Sequence, residues 1–421
     1  MSFTPDLSKG NTIKTFGNSM APIFVNNDIL YYKKVAFRRI KTNDIIIVKK
    51  DRKYVTHRVI YIGDSYLVTK GDNNLHTDGK IYPDDIIGRV YRIKRKNNYF
   101  APQDLYSTQS LFYFNEVNAI TRVLRRQNVP FLFLKGLPLY LYYTNNNPQR
   151  LYSDCDILVK PSDFPKTKEI LEKAGYFHIE TTPIRFSRGG IRPEYAFYKK
   201  IHGFPVLFDV HTEPVFLMAK VPTENLYPER YIDAMTTEYL NGCRMITLDG
   251  QKYPLLSPVH LIVYLALHFF HHNYRGAYRM ALLNLVIHEE LKGKNQKEIA
   301  ALWDDIIDHI TDYRIQNIVY PCFIFLREYY QTAIPENIFQ KIKPKGYAAW
   351  YIQNKILTID PFTDQTAIES GIERYKSVLF LTPESLMRKL LTIFDIRVLS
   401  LALDVISGKL ANTLRRMKVK S

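Results

Sequence analysis

The chain of 421 residues is too long for one ordinary core, which predicts two or three domains. Hydrophobic residues at 46% and charged residues at 24% exclude a disordered chain, and 22 scattered prolines with 18 glycines exclude a repeat or low-complexity architecture. The net charge of +17 favours an anionic partner (a membrane surface, a nucleic acid or an acidic peptide) against the plain alternative of solubility.

That charge is uneven, since residues 1–100 hold 19 Lys and Arg against 9 Asp and no Glu. Cys155, Cys243 and Cys322 are far apart and match no metal spacing, so they read as free thiols in a reducing compartment. Met1 to Asn11 is polar, without the apolar run of a signal peptide, and no transmembrane span is expected. A cytoplasmic protein is predicted, with peripheral contact to an anionic membrane as an alternative.

Along residues 12–98, short alternating segments predict strands at 29–33, 45–48, 54–62, 66–69 and 87–93, separated by turns rich in Asn, Asp and Gly. The basic run Lys94–Asn98 and then Ala101-Pro102 read as a linker. From Ser110 to Gln127 apolar residues recur at helical spacing. Strand and helix then alternate: a strand over 129–134, a helix over 137–143, a strand over 155–159 and a helix to Ala174 capped by Ser162. Strands follow near 195–199 and 206–211, and beyond Ser257 the pattern is helical.

The fold class expected is therefore multidomain α+β. A mostly-β domain spans 1–100, an α/β domain 101–255 and a helical domain 256–421. The segment Leu390–Leu410 is apolar at helical spacing but interrupted by Asp395, Arg397 and Asp404, with Arg415, Arg416, Lys418 and Lys420 after it. A packed C-terminal helix is the favoured reading, and a helix lying on an anionic membrane surface the alternative.

Gly17-Asn18-Ser19-Met20-Ala21-Pro22, His57-Arg58-Val59 and Gly71-Asp72-Asn73-Asn74 with Asp78 supply a serine, a histidine and carboxylates within one small domain. A serine hydroxyl needs an adjacent base, and that base needs a group to orient it. Over residues 12–98 this pattern resembles the S26 signal peptidases of the archaeal and endoplasmic-reticulum type. Asp28, Asp44 and Gly88-Arg89-Val90 also fall where that family has similar residues. The resemblance implies Ser19 as nucleophile, His57 as general base, Asp78 as orienting carboxylate and Asp72 as a structural or second acidic partner. It places Met20 and Pro22 beside a peptide or protein substrate. No cofactor is implied, and a membrane-anchoring helix like that family's is not expected from this sequence. A peptide docked as an added β-strand is the alternative to a substrate at the bilayer.

Further on, Phe133-Leu134-Lys135-Gly136 closes a strand, Arg150 precedes Asp154-Cys155-Asp156, and Asp209-Val210-His211 follows fifty residues later. Residues two apart in a strand share a face, so Asp154 and Asp156 project together, and Asp209 from a neighbouring strand completes a site for divalent cations. This pattern looks like the nucleotidyltransferase superfamily of the DNA-polymerase-β type. The resemblance implies Asp154, Asp156 and Asp209 as Mg²⁺ ligands and Gly136 at a phosphate-approaching turn. Lys135 and Arg150 would be phosphate contacts, and a nucleoside triphosphate the co-substrate. Leu137 stands where many active transferases carry a serine after the glycine.

His268 and His272 are four apart on a predicted helix, where core packing, or a nucleotide-facing edge of the helical domain, is favoured over zinc ligation. The leading account is a bifunctional protein, a serine endopeptidase joined to a Mg²⁺-dependent nucleotidyltransferase. The alternatives are a non-catalytic transferase fold that binds nucleotide or peptide and regulates the peptidase, and a nucleic-acid-binding regulator. No helix-turn-helix signal precedes residue 12, which makes a nucleic-acid partner the weaker reading.

Overall fold

The computed structural model describes residues 11–50, 53–152, 154–179, 194–214, 226–363, 365 and 367–395, the side chains of 367–369 and 386 excepted. Eight strands form the first sheet: β1 (Thr12–Lys14), β2 (Ile29–Lys33), β3 (Ile45–Lys50), β4 (Lys53–Ile62), β5 (Leu67–Lys70), β6 (Lys80–Ile81), β7 (Ile86–Arg95) and β8 (Asn98–Phe100). Their order is β1-β2-β7-β3-β4-β5-β6, with β8 hydrogen-bonded to β7. Every pairing is antiparallel.

The expected strands all form, because β-branched and aromatic residues alternate there between turn residues. The expected linker does not. Lys94 and Arg95 end β7, Lys96 takes a left-handed φ of 54°, and Asn98–Phe100 folds back as β8. A run of basic residues thus reads as linker in composition but forms a hairpin, since its side chains stay in solvent while its backbone pairs.

Helix α1 (Pro102–Arg126) starts earlier than periodicity alone predicts. Proline at the first helical position and Asp104, which accepts the Ala101 N–H at 2.7 Å, fix its start. It bridges two cores: Tyr106 belongs to the core of the first sheet, whereas Tyr113, Val117, Ile120 and Leu124 belong to the main core.

The second sheet is built from β9 (Phe131–Lys135), β10 (Asp154–Val159), β11 (Phe177–His178), β12 (Glu194–Ile201), β13 (Phe204–His211), β14 (Arg244–Leu248) and β15 (Gln251–Leu255). Its order is β11-β12-β13-β10-β9-β15-β14. Three helices accompany it: α2 (Leu137–Tyr143), α3 (Phe164–Lys173) and α4 (Glu229–Asn241). Ser162 does not cap α3; it lies in a 3-10 turn that Pro161 opens, and Asp163 stands at the cap position.

The remainder is helical: α5 (Pro258–His271), α6 (Ala277–Leu291), α7 (Gln296–Asp312), α8 (Gln316–Tyr330), α9 (Glu336–Lys341), α10 (Gly346–Tyr351), α11 (Ala367–Leu381) and α12 (Leu386–Ile393). Ser257 caps α5 by accepting the His260 N–H. Most of the expected segment 390–410, with the basic tail, lies outside the described residues. Among the described residues no helix is long and apolar enough to cross a membrane.

Candidate active sites

Strand register builds the carboxylate site. Asp156 of β10 pairs directly with Asp209 of the parallel strand β13 and with Lys135 of the antiparallel strand β9. Directly paired residues share a face, so Lys135, Asp156 and Asp209 form one row across three strands, and Asp154 stands two residues further on the same face. One oxygen from each of Asp154, Asp156 and Asp209 lies within 4.8 Å of the others. The three residues that sequence spacing assigns to a metal site therefore converge.

Lys135 is where sequence and structure part company. Its Nζ lies 2.6 Å from Asp154 Oδ2 and 2.6 Å from Asp156 Oδ2, so it neutralises the carboxylates and does not reach outward toward a phosphate. Burial would lower its pKa, but the two aspartates more than reverse this and hold it well above the usual lysine value. His211 holds Asp156, its Nε2 2.9 Å from Asp156 Oδ1, and that bond raises its pKa despite complete burial. Asp209 is pushed up to about 7 by burial and by the charges of Asp156 and Glu194, partly opposed by His211 and Lys135.

Gly136 has a φ of 105°, and a Cβ there would lie 2.7 Å from the Cys155 Cα. Only glycine lets the turn after β9 press against β10. Arg150, expected at a phosphate, is instead caged: its guanidinium carbon lies 4.8, 5.0 and 4.7 Å from the ring centroids of Tyr140, Tyr152 and Tyr278. Its Nη2 donates to the Tyr140 hydroxyl at 2.7 Å. An arginine between aromatic rings reads the same in sequence as one facing solvent.

The first sheet carries the second constellation. Ser19, in the turn after β1, has its Oγ 3.0 Å from His57 Nε2, and His57 Nδ1 lies 2.6 Å from Asp78 Oδ2. His57 is buried in β4, and Ser19 is half-buried. The same Asp78 oxygen accepts the Thr69 hydroxyl at 2.6 Å, and Lys50 Nζ donates to the Asp78 carbonyl. The Asn73 N–H donates to the Ser19 carbonyl at 2.8 Å, tying the 71–74 turn to the serine. A Cβ at Gly71 would lie 2.6 Å from the Ser19 carbonyl oxygen and 2.9 Å from His57 Nε2, so this glycine is required by packing.

Asp72 does not join that relay. It pairs through both oxygens, at 2.7 Å each, with Arg58 Nε and Nη2, and Arg58 is fully buried over the Tyr106 ring. Met20 is fully buried in the core, where its Sδ accepts the Asp72 N–H at 3.4 Å, so it is not open to a substrate; Pro22 is exposed. Asp28 and Asp44 hold Arg95 and Arg89 at 2.8 and 3.1 Å, which makes them structural ties within the sheet.

His268 and His272 pack edge to face at 4.9 Å, and among the described residues they complete no metal cluster. Burial, with Lys135, Arg279 and neighbouring histidines nearby, pushes both well below the usual histidine range. Cys155, Cys243 and Cys322 are unpaired, as expected.

Comparison with known proteins bears on the carboxylate site. Two solved structures are similar at 13% identity. The antibiotic-resistance factor ANT(2'')-Ia aligns over 54% of this chain and 95% of its own, with a TM-score of 0.25. An antigenic nucleotidyltransferase-like protein from Paracoccidioides brasiliensis aligns over 56% and 96%, with a TM-score of 0.29. No curated protein matches the chain. The sequence profile of a family described as uncharacterised nucleotidyltransferases matches residues 105–331, beyond the serine site and spanning Lys135, Asp154, Asp156 and Asp209. Those residues make up more than half of the chain, which thus belongs to the uncharacterised nucleotidyltransferase family.

Proposed function

We propose that the carboxylate row carries nucleotidyl transfer from a nucleoside triphosphate to an acceptor nucleophile. The observation that carries this reading is the convergence of Asp154, Asp156 and Asp209 within 4.8 Å on adjacent strands. Three oxygen donors of this kind suit a hard divalent cation, and they would hold Mg²⁺. When bound, that ion supplies charge stabilisation at the phosphoryl oxygens. In the reaction the acceptor attacks the α-phosphorus and gives up its proton to solvent, and pyrophosphate leaves with the broken P–O electron pair. His211 keeps Asp156 facing the site, and Lys135 sets the charge balance of the row.

A cationic wall supports the same reading. Arg374 Nη1 lies 3.2 Å from His271 Nε2, and burial together with Arg279 pulls Arg374 down to about 10. Arg279 and Arg374, both half-buried, add positive charge that suits a triphosphate. Incubation with Mg²⁺ and α-labelled triphosphates tests the proposal: label transfer with pyrophosphate release is expected, and its loss in Asp154→Asn. Nucleotide binding without release or transfer would overturn catalysis and leave a nucleotide-binding regulator.

A second activity is favoured by a separate observation, the Ser19–His57–Asp78 relay at 3.0 and 2.6 Å. In this reading Ser19 Oγ attacks a peptide carbonyl while His57 Nε2 takes its proton, and Asp78 holds the imidazole through Nδ1–H. The amine leaves with that proton, and water activated by His57 then releases the acyl group. Strand β1 is an edge of the first sheet, which suits a peptide docked as an added strand. The domain limits 1–100, 101–255 and 256–421 belong to this two-activity proposal. A serine-reactive acylating probe should label the chain and fail on Ser19→Ala and His57→Ala. Equal labelling of all three removes the peptidase reading.

A further inference from the structure

Three helices far apart in sequence bring Glu238 of α4, His260 of α5 and His309 of α7 together at one depression of about 380 Å³. His260 Nε2 lies 2.8 Å from Glu238 Oε1, and His309 Nδ1 lies 3.3 Å from the same oxygen. From this geometry we infer that Glu238, His260 and His309 form a site for a divalent transition cation of the zinc type. Neither the transferase nor the peptidase reading uses these residues, so the inference stands or falls independently of both.

The donor set is the first argument. Two imidazole nitrogens and a carboxylate are zinc ligands, and three protein ligands leave a fourth position for water. Ligands at 2.0–2.1 Å from a tetrahedral ion stand about 3.3–3.4 Å apart. The His309–Glu238 separation of 3.3 Å already meets that spacing, and the His260 pair needs to open by about 0.5 Å to reach it.

The surrounding groups are the second argument. The Tyr313 hydroxyl donates to Glu238 Oε2 at 2.5 Å and so turns Oε1 toward the two rings. His309 Nε2 lies 3.3 Å from the Tyr239 hydroxyl, which leaves Nδ1 facing the site. Such outer partners fix the tautomer and direction of a metal-binding imidazole. Asp305, Asp308 and Asp312 share one face of α7 with His309 and line the depression, which makes its mouth attractive to cations.

A hydrogen-bonded tie between helices would use the same three side chains without a metal, and zinc binding separates the two. The full-length chain, stripped with a chelator, is titrated with Zn²⁺ against a chromophoric indicator in the Asp154→Asn background. One equivalent per chain is expected. His260→Ala and His309→Ala should each weaken it by more than the about 10–100-fold that loss of an outer partner costs, whereas Tyr313→Phe should fall within that range. Circular dichroism reports whether the variants fold. X-ray absorption of zinc on the Asp154→Asn chain needs no change at the site itself: it should show imidazole scattering together with oxygen. Absence of zinc binding, unchanged binding in folded His260→Ala and His309→Ala, or an oxygen-only shell would overturn the inference.

Discussion

Lys135 Nζ stands 2.6 Å from Asp156 Oδ2 and equally close to Asp154 Oδ2, so the ammonium occupies oxygens that the proposed divalent ion would need. Removing the ammonium leaves buried Asp156 with His211 as its remaining partner and half-exposed Asp154 to solvent, which costs about 1–3 kcal/mol. Lys135→Met should therefore lower the melting temperature in chelator far more than in millimolar Mg²⁺. Melting curves across a Mg²⁺ series measure this. An equal loss at every Mg²⁺ concentration would mean that the lysine and the ion do not share a position.

Asp209 makes stability depend on pH in a definite direction. Its folded pKa is raised from 3.8 to about 7, chiefly by burial and then by Asp156 and Glu194. Between those values the folded chain keeps a proton that the unfolded chain has released. This term therefore weakens the fold as pH rises from about 4 to about 7, and flattens above. Asp209→Asn removes it and should stabilise the metal-free chain at pH 8 by ~1–3 kcal/mol relative to pH 4. Urea midpoints of both proteins in chelator at the two pH values give the difference. Parallel pH profiles would contradict the assignment.

Much of this was legible from local pattern. Strand β2 appears at its expected residues because Ile29–Lys33 alternates between a turn and a basic pair, and α2 because Pro138 opens an apolar run. The carboxylate row and the Ser19–His57–Asp78 set were legible because strand alternation and motif order survive in one dimension. Partners set by tertiary packing were not. Nothing near Asp72 in sequence announces that buried Arg58 takes both its oxygens, and nothing near Arg150 announces three tyrosine rings. Glu238, His260 and His309 lie on three helices, so no spacing rule joins them. Composition also misled at Lys94–Asn98, where backbone pairing prevailed over a basic, loop-like sequence.

Gly71 gives a test of the serine site that leaves all three polar side chains in place. A methyl there would meet the Ser19 carbonyl oxygen at 2.6 Å and His57 Nε2 at 2.9 Å, so serine and imidazole must part. Displacement by about 1 Å costs on the order of a hundredfold in a positioned reaction. Gly71→Ala should lose acylation by the serine probe by about that factor, with a stability loss of about 1–3 kcal/mol. Labelling kinetics beside urea unfolding separate the two effects. Undiminished labelling would show that the Ser19–His57 contact does not activate the hydroxyl.

Tyr61 tests whether the first sheet unfolds with the rest. It lies on β4, yet its hydroxyl donates to the Tyr329 carbonyl at 3.0 Å, and its ring sits 5.9, 5.7 and 4.7 Å from those of Tyr329, Tyr330 and Phe362. Ile60 and Val68 join it in the main core, so the sheet is fastened to the helical region by buried apolar surface. Tyr61→Phe removes only the hydrogen bond and should cost about 1 kcal/mol, whereas Tyr61→Ala also opens a cavity and should cost ~3–5 kcal/mol. Because the loss falls on the fastening, Tyr61→Ala should split a low-temperature transition from the main one in calorimetry. Serine-probe labelling should disappear across that first transition, while nucleotide binding persists to the second. One undivided transition at lower temperature would instead make both sheets parts of one cooperative unit, with the serine site unable to unfold alone.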